Sequence, residues 1–183
     1  MSSFDTVETA KAEGWFDHIP KENNNLQVAL LGDSGVGKTT YLNRIAKGKY
    51  VSGENPTKFI NSEKIVVFDG KPEIEIHDFS GKIVECVTRP SEYIKDMSAV
   101  FIFFETNNVI TGDNAIFKWF KLVKQSVSPQ TPITFIGTKN DDMPVTCRAI
   151  KICGVEYPTF FISSKTGKDV EMPFFKFYEH IKT

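Results

Sequence analysis

The sequence predicts an α/β fold in which a six-stranded, mostly parallel sheet with one antiparallel strand carries helices on both faces. Three observations lead there. Short apolar runs alternate with stretches of helical spacing, the pattern of strand–helix–strand units. Only residues 65–68 and 73–77 flank a hairpin signal, Asp69-Gly70, so a single antiparallel strand is expected. The first apolar run, residues 26–31, leads into a glycine-rich segment that opens a helix. That arrangement places backbone N–H groups at the carboxyl ends of the strands, where open α/β sheets bind their ligands.

The elements follow in order. Residues 1–25 read as an acidic N-terminal extension, poorly ordered, ending in Asn23-Asn24-Asn25. Its Lys11 and Lys21 stand against Asp5, Glu8, Glu13, Asp17 and Glu22, two against five, for a balance of −3. Its Trp15-Phe16 pair is a candidate for docking on the body or on a partner. Residues 26–183 form the expected folded domain. Strand 26–31 precedes helix 39–47. The hairpin strands 65–68 and 73–77 come next, the second with clean alternation in Glu73-Ile74-Glu75-Ile76. Strands 99–104 and 133–136 are apolar enough to be buried on both faces. Between them Ile116, Trp119, Phe120 and Val123 recur at helical spacing. Strand 159–162 is the last. Val170, Phe174, Phe177, Tyr178 and Ile181 then form the apolar side of a closing helix, with Asp169 and Glu171 at its start and His180 and Lys182 at its end, as the helix dipole favours.

Composition narrows the function classes. In 183 residues, 22 basic side chains meet 23 acidic ones, a net charge of −1 that gives no general attraction to nucleic acid or anionic membranes. The longest apolar run, residues 99–104, is far short of a membrane span. Cys86, Cys147 and Cys153 are an odd set without CxxC spacing, which argues for a reducing compartment, cytoplasmic or nuclear. No cysteine near Thr183 offers a lipid anchor. His18, His77 and His180 lack partners at metal-ligand spacing.

The chemistry is concentrated at strand ends. Gly32-Asp33-Ser34-Gly35-Val36-Gly37-Lys38-Thr39 fits GxxxxGK[ST] directly after the first strand. Such a loop wraps phosphates in backbone N–H groups from Asp33 through Thr40, with Lys38 on the β- and γ-phosphates and the Thr39 hydroxyl on Mg²⁺. A chance glycine-rich turn is the bland alternative, and the strand before and helix after argue against it. Asp78-Phe79-Ser80-Gly81 ends the second hairpin strand as DxxG. Thr138-Lys139-Asn140-Asp141 follows strand 133–136 as [NT]KxD, and Ser163-Ser164-Lys165 follows the last strand.

In order and spacing these motifs resemble the Ras-like small GTPases over about residues 26–182. The resemblance implies a G domain, the cofactors GTP/GDP and Mg²⁺, and a monomeric switch that meets effectors, an exchange factor and a GTPase-activating protein through two switch segments. It implies that Asp141 accepts from guanine N1–H and the 2-amino group, a donor pair that adenine lacks. Lys139 and Lys165 would flank the base, and the Ser163-Ser164-Lys165 turn would offer the Ser164 N–H to guanine O6. Thr138 stands where most members carry Asn; Rho-type members also carry Thr, which implies that binding survives with weaker bracing. Thr57 in Asn55-Pro56-Thr57 matches the switch I threonine on Mg²⁺ and the γ-phosphate, and Tyr50 the aromatic against guanine. Asp78 would hold Mg²⁺ through water, and the Gly81 N–H would meet the γ-phosphate.

One departure bears on catalysis. After Gly81 the family carries Gln, and most members then Glu; this chain has Lys82 and Ile83. Gln orients the attacking water with a donor and an acceptor, whereas an ammonium has donors only. Slow intrinsic hydrolysis is therefore expected, with Lys82 neutralising γ-phosphate charge. Glu171-Met172-Pro173-Phe174-Phe175 is similar to the Ran-type stretch at this place, while Ser34-Gly35-Val36 is closer to Rab-type loops. A divergent Ran/Rab-like member, Ran favoured, is the reading, with nuclear transport as the implied role. A non-hydrolysing, GTP-bound imitator that occupies host or cellular effectors is the second. A P-loop kinase, which has no need of an Asp141-type base selector, is a distant third.

Overall fold

The computed structural model describes residues 26–53, 55–106, 109–141 and 149–180. Several expectations lie outside them: the extension 1–25 with Trp15, Phe16 and His18, then Asp142, Cys147, and Ile181 to Thr183.

Strand β1 (Leu26–Gly32) is followed by helix α1 (Lys38–Lys47), the edge strand β2 (Ile60–Ile65) and β3 (Ile74–Phe79). Two single-turn helices, α2 (Ile83–Cys86) and α3 (Ser91–Ile94), lead to β4 (Ala99–Glu105), α4 (Val109–Ser126) and β5 (Ile133–Thr138). A small hairpin, β6 (Ile150–Ile152) and β7 (Val155–Tyr157), precedes β8 (Thr159–Phe161) and α5 (Met172–His180). The main sheet has the order β2-β3-β1-β4-β5-β8, and β2–β3 is its one antiparallel pair. The six-stranded mixed sheet expected from the sequence is therefore present.

Alternation along the central strands builds two cores. Val28 and Leu30 of β1 and Phe101 and Phe103 of β4 face one layer, where Tyr41 of α1 and Phe174 and Phe177 of α5 cover them. Ala29, Leu31, Val100 and Ile102 face the other, under Trp119 and Val123 of α4 and Ile83 of α2. Burial on both faces explains why these strands read as unbroken apolar runs.

The chain leaves β3 on one side of β1 and returns as β4 on the other. The carboxyl end of β1 is thus a topological switch point, where such sheets open a crevice.

The hairpin differs from expectation. The strand expected over 65–68 lies earlier, at Ile60–Ile65, and the connection to β3 is longer than a two-residue Asp69-Gly70 turn. The pattern of Ile60-Asn61-Ser62-Glu63-Lys64-Ile65 is polar because β2 is an exposed edge, whereas Val67 and Phe68 are apolar because they pack on the first core from outside the ladder. The β6–β7 hairpin was not anticipated either. Its turn is Cys153-Gly154, both with positive φ, as tight hairpins require.

Candidate functional site

The glycine-rich loop joins β1 to α1. Gly37 occupies the position before the helix with φ 96°, where a side chain would be strained, and the Tyr41 N–H closes the first turn on its carbonyl at 2.9 Å. Lys38 is buried, and its Nζ donates to the Gly32 and Asp33 carbonyls at 2.8 and 2.9 Å. One ammonium N–H is left for a further acceptor. Burial lowers the Lys38 pKa to about 8, against the opposing pull of Asp78 and Asp33.

Three residues from three segments meet beside it. Thr39 at the start of α1 donates to Asp78 Oδ2 at 2.6 Å, Thr57 from the segment before β2 donates to the same oxygen at 2.9 Å, and the two hydroxyl oxygens are 3.0 Å apart. Asp78, at the end of β3, has no exposed surface, and its Oδ1 has no hydrogen-bond partner among the described residues. Burial raises the Asp78 pKa; the Thr39 bond, Lys38 and the Thr57 bond oppose the rise. A buried carboxylate with an unpartnered oxygen beside two hydroxyls is a hard-oxygen set of the kind that divalent cations take. The described residues gather no group of three His, Cys, Asp or Glu that could hold a metal by itself, so other ligands of such a cation would come from phosphate and water.

Gly81 presses on the loop from β3. A Cβ there would fall 2.1 Å from the Ser34 nitrogen and 2.5 Å from the Asp33 carbonyl carbon, so only glycine allows this approach. Lys82 follows at the N-terminus of α2, exposed, with its backbone N–H 3.3 Å from Ser80 Oγ. Ile83 after it is 1% exposed and anchors the turn in the second core.

The other two motifs close the site from β5 and β8. Thr138 Oγ1 lies 2.5 Å from the Val36 carbonyl and 3.1 Å from that of Phe104, so it ties the glycine-rich loop to β4. Lys139, in a left-handed conformation with φ 57°, pairs with Glu105 at 3.0 Å. Ser163 Oγ donates to Asp141 Oδ1 at 2.6 Å, and Lys165 Nζ lies 3.9 Å from Asp141 Oδ2, so the carboxylate is held between the two strand ends. Ser163 and Ser164 are buried and Lys165 is exposed.

The structure thus gathers Asp33 to Thr39, Thr57, Asp78, Gly81, Thr138, Lys139, Asp141 and Ser163 to Lys165 at the carboxyl edge of the sheet. It does not bring Tyr50 to them: the ring is 44% exposed, with no hydrogen bond or ring contact among the described residues. Thr40 lies in the first turn of α1 with no side-chain bond to the cluster.

Sequence reasoning passed over three residues. Glu105 partners Lys139, and Asn140 is fully buried between Lys139 and Asp141. Trp119 reaches from α4 to Asp33, with Nε1 2.8 Å from Oδ1. A polar residue inside a binding motif was a readable signal for Asn140; the need of a buried indole for an acceptor was one for Trp119.

Known proteins align with much of this sequence. The family model described as "Ras of Complex, Roc, domain of DAPkinase" matches residues 27–141. The chain is 28% identical over 158 residues to the GTP-binding nuclear protein GSP1 of Encephalitozoon cuniculi, covering 81% of this chain and 72% of that protein. It is 30% identical over 165 residues to mouse Ras-related protein Rab-37, covering 85% and 73%. To human Rho-related GTP-binding protein RhoE it is 32% identical over 123 residues, 67% of this chain and 50% of that one. Nuclear, Rab and Rho proteins are matched at nearly equal identity, which marks divergence from each branch. The chain belongs to the Ras-like small GTPases, a family that binds guanine nucleotides and acts as switches.

Proposed function

We propose that the chain is a Mg²⁺-dependent GTP/GDP switch with slow intrinsic hydrolysis, carried by a G domain over residues 26–183 with residues 1–25 as an extension. The observation that carries this reading is the meeting of Thr39, Thr57 and Asp78 on one point. A threonine from a long surface segment has no packing reason to reach a buried aspartate beside the glycine-rich loop. It has a functional one where that segment closes over a bound nucleotide.

Backbone N–H groups of Asp33 to Thr40 bind the phosphates, and Lys38 neutralises the β- and γ-positions. Asp141 selects guanine, oriented by Ser163; the Ser164 N–H meets O6, and Lys139 and Lys165 flank the base, while Tyr50 stands away from it. Thr39, Thr57 and Asp78 would hold Mg²⁺, which supplies charge stabilisation to the phosphates when bound. The Gly81 N–H meets the γ-phosphate, and Lys82 lends it positive charge. Loss of that phosphate removes the reason for Thr57 and Gly81 to stay, which releases both segments.

The partners are effectors, an exchange factor and a GTPase-activating protein that read the released or closed segments. Phe59 and Tyr93 support such a surface: they are 38% and 42% exposed and pack edge to face, centroids 5.4 Å apart. A Ran-like transport role rests on the Glu171-Met172-Pro173-Phe174-Phe175 stretch and on the nuclear name of one relative. No helix among the described residues is long and apolar enough to cross a membrane. A cytoplasmic or nuclear monomer completes the proposal.

Nucleotide released by denaturing freshly purified protein tests the reading. Guanine nucleotide is expected, and its loss should quicken when Mg²⁺ is chelated; adenine nucleotide overturns the assignment. Mostly GDP supports the hydrolysing switch. Mostly GTP supports the second reading, a non-hydrolysing imitator, which Lys82 favours because it supplies no acceptor to water.

A further inference from the structure

We infer that Trp119 is a positioning residue for the nucleotide, its indole N–H tying the Asp33 carboxylate to α4 and keeping that negative charge off the phosphates. The inference rests on the guanine-nucleotide reading above.

Asp33 is out of place in a loop that collects anions. Its carboxylate belongs to the same few residues whose N–H groups would face three phosphates, and like charges at such range repel; the side chain is 43% exposed, so water weakens that repulsion without removing it. Something must hold it aside. Trp119 has no exposed surface, and an indole buried so deeply needs an acceptor. Its Nε1 finds one at 2.8 Å, Asp33 Oδ1, across 86 residues of sequence. Lys118 adds a second tie: its Nζ lies 3.9 Å from the same oxygen and 5.5 Å from the Trp119 ring centroid. Lys118 is half exposed, so water and salt weaken that contact, and the indole bond is the firmer one.

Asp33 is also the residue through which a shift would spread. Its carbonyl accepts from Lys38 Nζ at 2.9 Å, and its backbone with that of Ser34 forms the surface on which Gly81 rests. A carboxylate swinging from α4 toward the phosphates would disturb the lysine and the DxxG glycine together. Trp119 is suited to prevent this because Ile116, Trp119 and Val123 fix α4 to the sheet within the second core.

The test is release of a fluorescent GDP analogue from the full chain in Mg²⁺. Trp119→Phe keeps a ring in the core but removes the N–H; release about tenfold faster is expected, the scale of a lost hydrogen bond to a charged group. In an Asp33→Ala background the same substitution should change release less than about twofold, because the charge it restrains is gone. Equal acceleration in both backgrounds means that the ring serves only packing, and it overturns the inference, as does a wild-type rate for Trp119→Phe. A second measurement covers a Trp119→Phe protein that fails to fold. In Asp33→Ala, the Trp119 indole N–H resonance should shift and exchange with solvent about tenfold faster; an unmoved resonance overturns the inference. If the wild-type chain binds neither GDP nor GTP, the guanine reading fails first and this inference with it, an outcome visible before any substitution.

Discussion

Lys82→Gln separates the chemistry of this site from its fold. The Lys82 side chain is exposed and enters no hydrogen bond or ion pair among the described residues; only its backbone N–H is engaged, with Ser80. The turn is held by its neighbours, Gly81 on the loop and Ile83 in the core. The substitution should therefore change stability by no more than about 0.5 kcal/mol, or roughly 1–2 °C in Tm for a chain of this size. The rate should change far more. An amide at this place can accept a hydrogen bond from the attacking water while donating another, and an ammonium cannot. If one charge-assisted hydrogen bond is gained only in the transition state, about 1.5–3 kcal/mol is at stake. At one power of ten per 1.36 kcal/mol, single-turnover GTP hydrolysis should rise about 10- to 150-fold. The assay follows phosphate release from GTP-loaded protein in Mg²⁺, with melting curves alongside and Lys82→Ala as control, expected to stay near the wild-type rate. Equal rates for wild type and Lys82→Gln, both retaining GTP, refute the reasoning. A Lys82→Ala rate matching that of Lys82→Gln shows that the lysine obstructs the site, which the acceptor argument does not allow.

Three further outcomes are expected. Asp141→Ala should weaken GTP binding at least about 100-fold in a competition assay while ATP binding, weak already, stays unchanged, because two charge-assisted bonds to guanine are lost. Gly81→Ala should lower stability by about 1–3 kcal/mol in a denaturant melt, since its methyl would stand 2.1 Å from the Ser34 nitrogen, a backbone atom that cannot rotate away. Burial raises the Tyr178 pKa to about 12, and its hydroxyl donates to the Pro72 carbonyl at 2.6 Å. That contribution is complete below pH 10 and lost as pH rises toward 12; melts across this window should show the decline in wild type and a smaller one in Tyr178→Phe.

How far the sequence could be read depended on whether local chemistry or distant packing decided each feature. The central strands were legible because burial on both faces leaves residues 99–104 wholly apolar and 133–136 apolar but for Thr134. The glycine-rich loop was legible because its glycines serve the backbone while Lys38 and Thr39 act through side chains at fixed spacing from them. The edge strand was misplaced because exposure and packing changed places: polar Asn61, Ser62 and Glu63 stay in the ladder while Val67 and Phe68 leave it. The β6–β7 hairpin escaped because three-residue strands carry too little alternation to see. At the site, the strand-end motifs fell together as spacing implied. The joins between them did not show in spacing at all. Thr138 reaching Val36, Ser163 reaching Asp141 and Trp119 reaching Asp33 span 102, 22 and 86 residues, and each depends on which strands the sheet sets side by side.

Those joins give the site its electrostatic character. Lys38 and Asp78 are both buried, and burial disfavours the charge of each, lowering one pKa and raising the other. They are close enough to help one another, yet neither is satisfied by the other: Lys38 bonds two carbonyls, and Asp78 bonds two hydroxyls with one oxygen left over. A site kept for folding alone would do better with apolar residues of similar size. The arrangement makes sense where an anion meets the lysine and a cation meets the aspartate, each restoring the charge that burial discourages. Ligand binding then stabilises the fold with the logarithm of its concentration over Kd, and on the proposed reading the same event orders the segment carrying Thr57. The same logic gives Lys82 its weight. Every other charged residue at the site has a partner or a ligand role that suits its sign, whereas Lys82 supplies positive charge where hydrolysis calls for an acceptor. On the switch reading proposed above, retention of GTP gains from that exchange and turnover loses.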